Sequence, residues 1–272
     1  MVRSKGKPDL FITFTCNPRW PEITENLAAH SVANDRPELV ARVFNRKLQE
    51  LLSDLTVNRV FGNVGAYVYT IEFQKRGLPH AHILVILAED CKFRTAADVD
   101  DVVCAFLPDT ATDRRLHDCV KSHIHGPCGT VNPLCPCMVN NSCSKDFSKA
   151  YVEETVYVRD GGYPKYLRPD DGRVVLVRGR EVCNECVVPY NPYLLVKYDA
   201  HINVEIFTST RDTSARQTPS DDCFRTICTA KVTWSLGFLF TWKVVRTCTL
   251  RRAKKKKGYR TKLYVTRNSR SS

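Results

Sequence analysis

No stretch of this 272-residue chain approaches eighteen consecutive apolar residues, so the sequence offers no membrane-spanning helix. Its start, Met1-Val2-Arg3-Ser4-Lys5-Gly6-Lys7, is basic but is not followed by an apolar segment of secretory length, which argues against a signal peptide. Nor is there any Gly-x4-Gly-Lys-Ser/Thr, which excludes a Walker-type phosphate loop from these residues. These absences lead to the expectation of an intracellular protein with no membrane partner. What the chain has in quantity is cysteine, thirteen in all. In an intracellular setting that number points to metal ligands or reduced core thiols rather than to a disulfide framework.

The net charge of +12 is unevenly placed. Residues 206–272 carry 16 Lys and Arg against three Asp, whereas residues 1–205 carry 25 basic against 26 acidic side chains. The body is neutral and the tail holds the excess. A basic tail attracts phosphate without regard to sequence, so it does not by itself make the body a nucleic-acid-binding domain.

Periodicity sets out the body. Leu10 to Thr15 reads as a central strand, ended by Cys16-Asn17-Pro18 and Trp20-Pro21. Asp35-Arg36-Pro37-Glu38 reads as a helix start with Asp35 near the cap. Leu39, Val40, Val43, Phe44, Leu48, Leu51, Leu52 and Leu55 then recur at threes and fours, giving about five turns of amphipathic helix with one face on a sheet. Strands are expected over 67–73 and 80–87, two shorter helices over Asp98–Phe106 and Asp113–His123, and a further strand over Arg173–Arg178. A strand, a long helix and an antiparallel hairpin make an α+β layer.

The most informative residues are Arg76-Gly77-Leu78-Pro79-His80-Ala81-His82-Ile83-Leu84-Val85. On a strand, side chains alternate, so His80 and His82 project from the same side. Pairing with the strand before it brings Glu72 beside them. Two nitrogens and one carboxylate oxygen leave positions open for water and substrate, the pattern of a catalytic divalent-metal site. The competing reading is a pair of ordinary histidines with ordinary hydrogen bonds.

Residues 117–151 differ in kind, being rich in cysteine and turns. His125, Cys128, Cys137 and Cys143 supply enough ligands for one tetrahedral structural zinc, with Cys135 or His123 as possible substitutes. A loop of reduced cysteines is the alternative. Cys183-x2-Cys186 is a weaker second candidate knuckle. Tyr190, Tyr193 and Tyr198 could stack on bases, although packing is the commoner use of tyrosine.

The run Pro8-Asp9-Leu10-Phe11-Ile12-Thr13-Phe14-Thr15-Cys16-Asn17-Pro18-Arg19-Trp20-Pro21-Glu22-Ile23, followed by Glu72-Phe73-Gln74-Lys75-Arg76-Gly77-Leu78-Pro79-His80-Ala81-His82, resembles the Helitron helicase-like domain. That domain is the replication-initiator (Rep) endonuclease region of eukaryotic rolling-circle transposons, of the HUH (His-hydrophobe-His) class. The resemblance extends to Val187-Val188-Pro189-Tyr190-Asn191-Pro192-Tyr193 and Lys197-Tyr198-Asp199-Ala200-His201-Ile202-Asn203-Val204-Glu205. It implies an HUH-like antiparallel sheet with helices packed on it, a Cys-rich insertion, and a domain over 1–206. It also implies Mg²⁺ or Mn²⁺ held by His80, His82 and Glu72 (Gln74 as the fallback), single-stranded DNA as partner, contacts to it from Lys75 and Arg76, and a nuclear location.

One family feature does not follow. Where the family has a helix bearing two tyrosines four apart, able to take turns in phosphodiester cleavage and transfer, no Tyr-x3-Tyr occurs after residue 206. Tyr259 and Tyr264, and likewise Tyr193 and Tyr198, are five apart. The expectation is a truncated, catalytically impaired copy without its helicase half, residues 207–272 forming a divergent, largely disordered basic tail. The alternative is a non-enzymatic, zinc-stabilised DNA-binding module.

Overall fold

Residues 6–74, 77–157, 164–207, 246–247 and 262–266 are described by the structure, a computed structural model. The chain divides into two compact units, Met1–Lys92 with Pro219–Ser272, and Phe93–Thr218. It mixes helices with antiparallel sheets and carries a cysteine-rich region.

In the first unit, β1 (Leu10–Thr15), β2 (Val64–Phe73) and β3 (Pro79–Leu87) form a sheet with β3 between the other two. Both pairings are antiparallel, with Leu10 opposite Val85 and Thr15 opposite His80 on one side of β3, and Glu72 opposite His80 on the other. A short strand, Lys262–Thr266, adds to the free side of β2. The remainder of the expected tail lies, apart from Phe207 and residues 246–247, outside the described residues.

The alternation in β1 decides what each face does. Leu10, Ile12 and Phe14 are wholly buried on one face, where Phe14 stacks on Phe44 with ring centroids 5.3 Å apart. Phe44 belongs to a 20-residue helix, Pro37–Thr56, whose Val40, Phe44, Leu48, Leu51, Leu52 and Leu55 are buried. This is the amphipathic helix expected from the sequence. Its start differs in detail. Arg36 is the N-cap, while Asp35 closes the preceding turn by accepting from the Val32 amide at 2.9 Å. A one-turn helix, Pro21–Thr24, follows the buried Trp20, whose ring lies under Lys47.

Gly77 donates to the Gln74 carbonyl at φ +79, a conformation that a side chain would strain, and Gln74 donates to Leu78. At the far end of the sheet the buried Asp9 carboxylate accepts from the Leu87 amide at 2.8 Å. Burial holds this carboxyl above its ordinary value despite that hydrogen bond. The folded state therefore keeps the proton more tightly than the unfolded chain. The stability that follows is present below the unfolded value of 3.8 and is lost as pH rises through the raised one. Asp9→Asn is expected to flatten that slope, at most about 1.4 kcal/mol per pH unit, in denaturant titrations followed upward from pH 3.8.

The second unit contains helices Ala96–Asp100 and Arg114–Ser122, hairpins Met138–Val139/Ser142–Cys143 and Val175–Val177/Arg180–Val182, a helix Pro192–Tyr198 and a strand His201–Ile206. Arg114–Ser122 begins where the sequence indicates, with Asp113 accepting from the Leu116 amide. The helix expected over 98–106 is corrected. It is capped earlier by Thr95, which exchanges hydrogen bonds with Asp98, and it ends at Asp100. The chain then extends, because Cys104 and Tyr190 exchange backbone hydrogen bonds of 2.8 and 2.9 Å that a helix could not make. The strand expected over 173–178 is shorter and turns back at Arg178-Gly179, both at positive φ, the pair of values that a two-residue hairpin turn needs.

Candidate functional site

On the face of the first sheet away from the long helix, Phe11, Thr13 and Thr15 of β1 stand beside Leu84, His82 and His80 of β3, and Thr70 and Glu72 of β2 lie beside His82 and His80. One ligand atom from each of Glu72, His80 and His82 lies within 4.8 Å of the others. His82 Nε2 is 3.2 Å from Glu72 Oε1, and the imidazoles meet edge to face at 4.5 Å. The histidines are buried, while the Glu72 side chain is 38 % exposed, so the group opens towards solvent on the carboxylate side.

Their orientation is set locally. Thr15 Oγ1 is 2.7 Å from His80 Nδ1, a residue 65 positions away in the chain. With that nitrogen engaged, any coordination of an ion would fall to Nε2, because a ligating imidazole commonly uses its other ring nitrogen in a hydrogen bond that orients it. His82 is stacked on Phe11 at 5.7 Å, and its buried Nδ1 has no hydrogen-bond partner among the described residues. The donor set of two imidazoles and one carboxylate suits a divalent ion of the harder first-row or Mg²⁺ kind, with open positions. Thr15 carried no signal as a site residue in the sequence, because its role depends on cross-strand register. Thr15→Val, which keeps the shape and removes the hydroxyl partner of His80, is expected to weaken Mn²⁺ binding about 10–100-fold by calorimetric titration, with the fold intact by circular dichroism.

Gln74 lies past the end of β2 and is exposed. Lys75 and Arg76, the expected nucleic-acid contacts, lie outside the described residues. Cys16 at the end of β1 is buried, and burial pushes its thiol up to about 12, so it is not a nucleophile at neutral pH.

A second group stands in the second unit. The ligand atoms of His125, Cys128, Cys137 and Cys143 all lie within 4.8 Å of one another. Of the suggested substitutes, Cys135 approaches Cys137 at 3.5 Å between sulfurs, and His123 instead packs on His201 at 4.1 Å. The Cys183-x2-Cys186 reading is not supported. Among the described residues neither cysteine joins a group of three ligands. Their segment is a short turn in which Cys183 contacts Glu185 and the Tyr151 hydroxyl. Tyr190 and Tyr198 are buried packing residues, and Tyr193 is about half exposed beside Lys197.

A carboxylate and two imidazoles on neighbouring antiparallel strands define the first unit as an α+β domain with a candidate divalent-metal centre. Residues 1–85 match the family model described as the Helitron helicase-like domain at the N-terminus. In those residues the chain is similar to that domain. The match takes in β1, the long helix, β2 and the His80–His82 pair, while the Cys/His group lies beyond it. No curated protein matches the chain. No helix among the described residues is long and apolar enough to cross a membrane.

Proposed function

We propose that the first unit is an HUH-type Rep domain, a metal-dependent single-stranded DNA phosphodiester module whose strand-cutting activity is impaired in this chain. The observation that carries the reading is the convergence of Glu72, His80 and His82 from paired strands to within 4.8 Å. His80 and His82 would supply nitrogens and Glu72 an oxygen to Mg²⁺ or Mn²⁺. When bound, such an ion neutralises charge on a scissile phosphate. The chain's own residues do the rest of the positioning. Thr15 sets the His80 ring, Phe11 sets the His82 ring, and Glu72 faces the solvent side from which a phosphate would approach. Impairment follows from the nucleophile, since no Tyr-x3-Tyr pair is present to attack and hold the DNA end.

The second reading is a DNA-binding module without catalysis, favoured by the concentration of 16 basic residues against three acidic ones in 206–272. One experiment separates the two. The purified chain is incubated with a labelled single-stranded oligonucleotide and Mn²⁺, and covalent adducts are sought on a denaturing gel. Adduct, or slow cleavage, that disappears in His80→Ala supports residual Rep chemistry. Binding without any metal-dependent product, falling steeply with salt and with replacement of Lys254 to Lys257 by serine, supports the module alone.

A further inference from the structure

The Cys/His group of the second unit stands apart from the Glu72 site in ligand type and in completeness. His125 Nε2 lies 3.6 Å from Cys128 Sγ and 3.4 Å from Cys143 Sγ. Zinc bonds of about 2.0–2.1 Å to nitrogen and about 2.3 Å to sulfur, at tetrahedral angles, place such atoms about 3.5 Å apart. The spacing is thus already that of a zinc shell.

Local structure explains how residues up to 18 positions apart come to it. Asn140 and Asn141, both at positive φ, make the two-residue turn of the Met138–Val139/Ser142–Cys143 hairpin. The hairpin sets Cys143 opposite Met138, next to Cys137, and the Ser144 amide donates to the Cys137 carbonyl at 2.8 Å. The Lys145 amide points at Cys143 Sγ from 3.4 Å, a donor for a thiolate. Phe147 stacks on the His125 ring at 4.2 Å and fixes its plane. The His125 amide donates to Cys186 and the Lys149 amide to Glu185, so both ends of the loop are tied to one segment.

We propose that His125 Nε2 and the sulfurs of Cys128, Cys137 and Cys143 hold one Zn²⁺ in a closed, structural centre, and that Cys135 is not a ligand but a thiol that hydrogen-bonds to the Cys137 sulfur. Three sulfurs and one nitrogen complete a tetrahedron, which leaves no position for water or substrate and sets this centre apart from an open catalytic one. Softness of the donors favours zinc over the ions suited to Glu72, His80 and His82. The loop has few apolar anchors of its own. Leu134 is 92 % exposed and Val131 and Val139 are also exposed, so the cross-link at the metal takes the place of a core. This inference does not depend on the Rep reading of the first unit.

The test uses the full chain. Metal analysis of the purified protein is expected to give one zinc per chain. Replacement by Co²⁺ is expected to give the intense visible bands of tetrahedral cobalt with sulfur-to-metal charge transfer. Chelation of the wild-type protein is expected to speed amide exchange across 125–147 while leaving β1–β3 unchanged. Cys135→Ser should keep the metal and His80→Ala should keep the cobalt spectrum, whereas Cys128→Ser and Cys137→Ser should lose most of the affinity. Substoichiometric zinc, an octahedral cobalt spectrum, or equal loss in Cys135→Ser and Cys137→Ser would overturn the assignment. The cobalt spectrum and the exchange measurement need no variant, so they decide the matter even if a substitution misfolds.

Discussion

Alanine at His80 or at His82 is expected to lower Mn²⁺ affinity by more than about 100-fold, beyond what is typical for loss of a group that only orients a ligand. Among the described residues, no other His, Cys, Asp or Glu joins Glu72, His80 and His82. Both histidines belong to β3, which is hydrogen-bonded to β1 on one side and β2 on the other and is buried at every position. Neither backbone nor ring has room to bring in a substitute. Glu72→Gln should have a smaller effect, since an amide oxygen remains and the side chain already meets solvent. Mn²⁺ titration followed by paramagnetic resonance distinguishes these cases. Binding by His80→Ala within a few-fold of the parent would remove the metal centre, and with it the Rep reading, while leaving the sheet itself unchallenged.

Asn184→Ala is expected to cost the second unit about 3 kcal/mol, enough to shift a urea midpoint by about 1 M or more at the slopes usual for domains of this size, about 1–3 kcal/mol per molar. Asn184 is almost wholly buried in the turn between Cys183 and Cys186. Its Oδ1 accepts from the Leu107 amide at 2.7 Å, and its Nδ2 donates to the Pro169 carbonyl at 2.8 Å and to Asp171 at 3.1 Å. Its own carbonyl accepts from the buried Arg168 guanidinium, which also donates to the Val187 carbonyl at 3.0 Å. One side chain thus ties together two stretches of irregular chain, at Leu107 and at Pro169 with Asp171. Truncation leaves the buried Leu107 amide without its partner, where water cannot compensate, and removes the donor to the Pro169 carbonyl. A change below about 0.5 kcal/mol, with an unaltered denaturant slope, would show that the unit is held together by other means.

The geometry of the candidate site is legible because it depends on a period of two. His-x-His on a strand shares a face whatever the rest of the fold does, and a short hairpin brings Glu72 opposite His80 without long-range information. The long helix was legible for the same kind of reason, a repeat of 3.6 over twenty residues. Spacing also brings together the four Cys/His residues, although nothing in that spacing marks the turn through Asn140 and Asn141 that seats Cys143. What escaped was whatever depends on a distant segment. Thr15 reads as one more strand threonine until it is set against His80 across the sheet. Residues 102–107 carry helical periodicity, but the pairing of Cys104 with Tyr190 outweighs that weak local preference. Cys183-x2-Cys186 has the spacing of a ligand pair, yet the residue that matters there is the asparagine inside it. A buried Arg168 serving two carbonyls has no sequence signature at all, since arginine is expected at the surface.

The position of β3 has a consequence for how occupancy of the first unit would be felt. A strand flanked on both edges releases its amide protons only when the whole sheet comes apart. An ion gripped by its two imidazoles cannot be detected as the quieting of a loop, and would register instead as slower exchange throughout the sheet. At a concentration about one hundred times its dissociation constant, such an ion would add about 2.7 kcal/mol to the opening free energy of every one of those protons together.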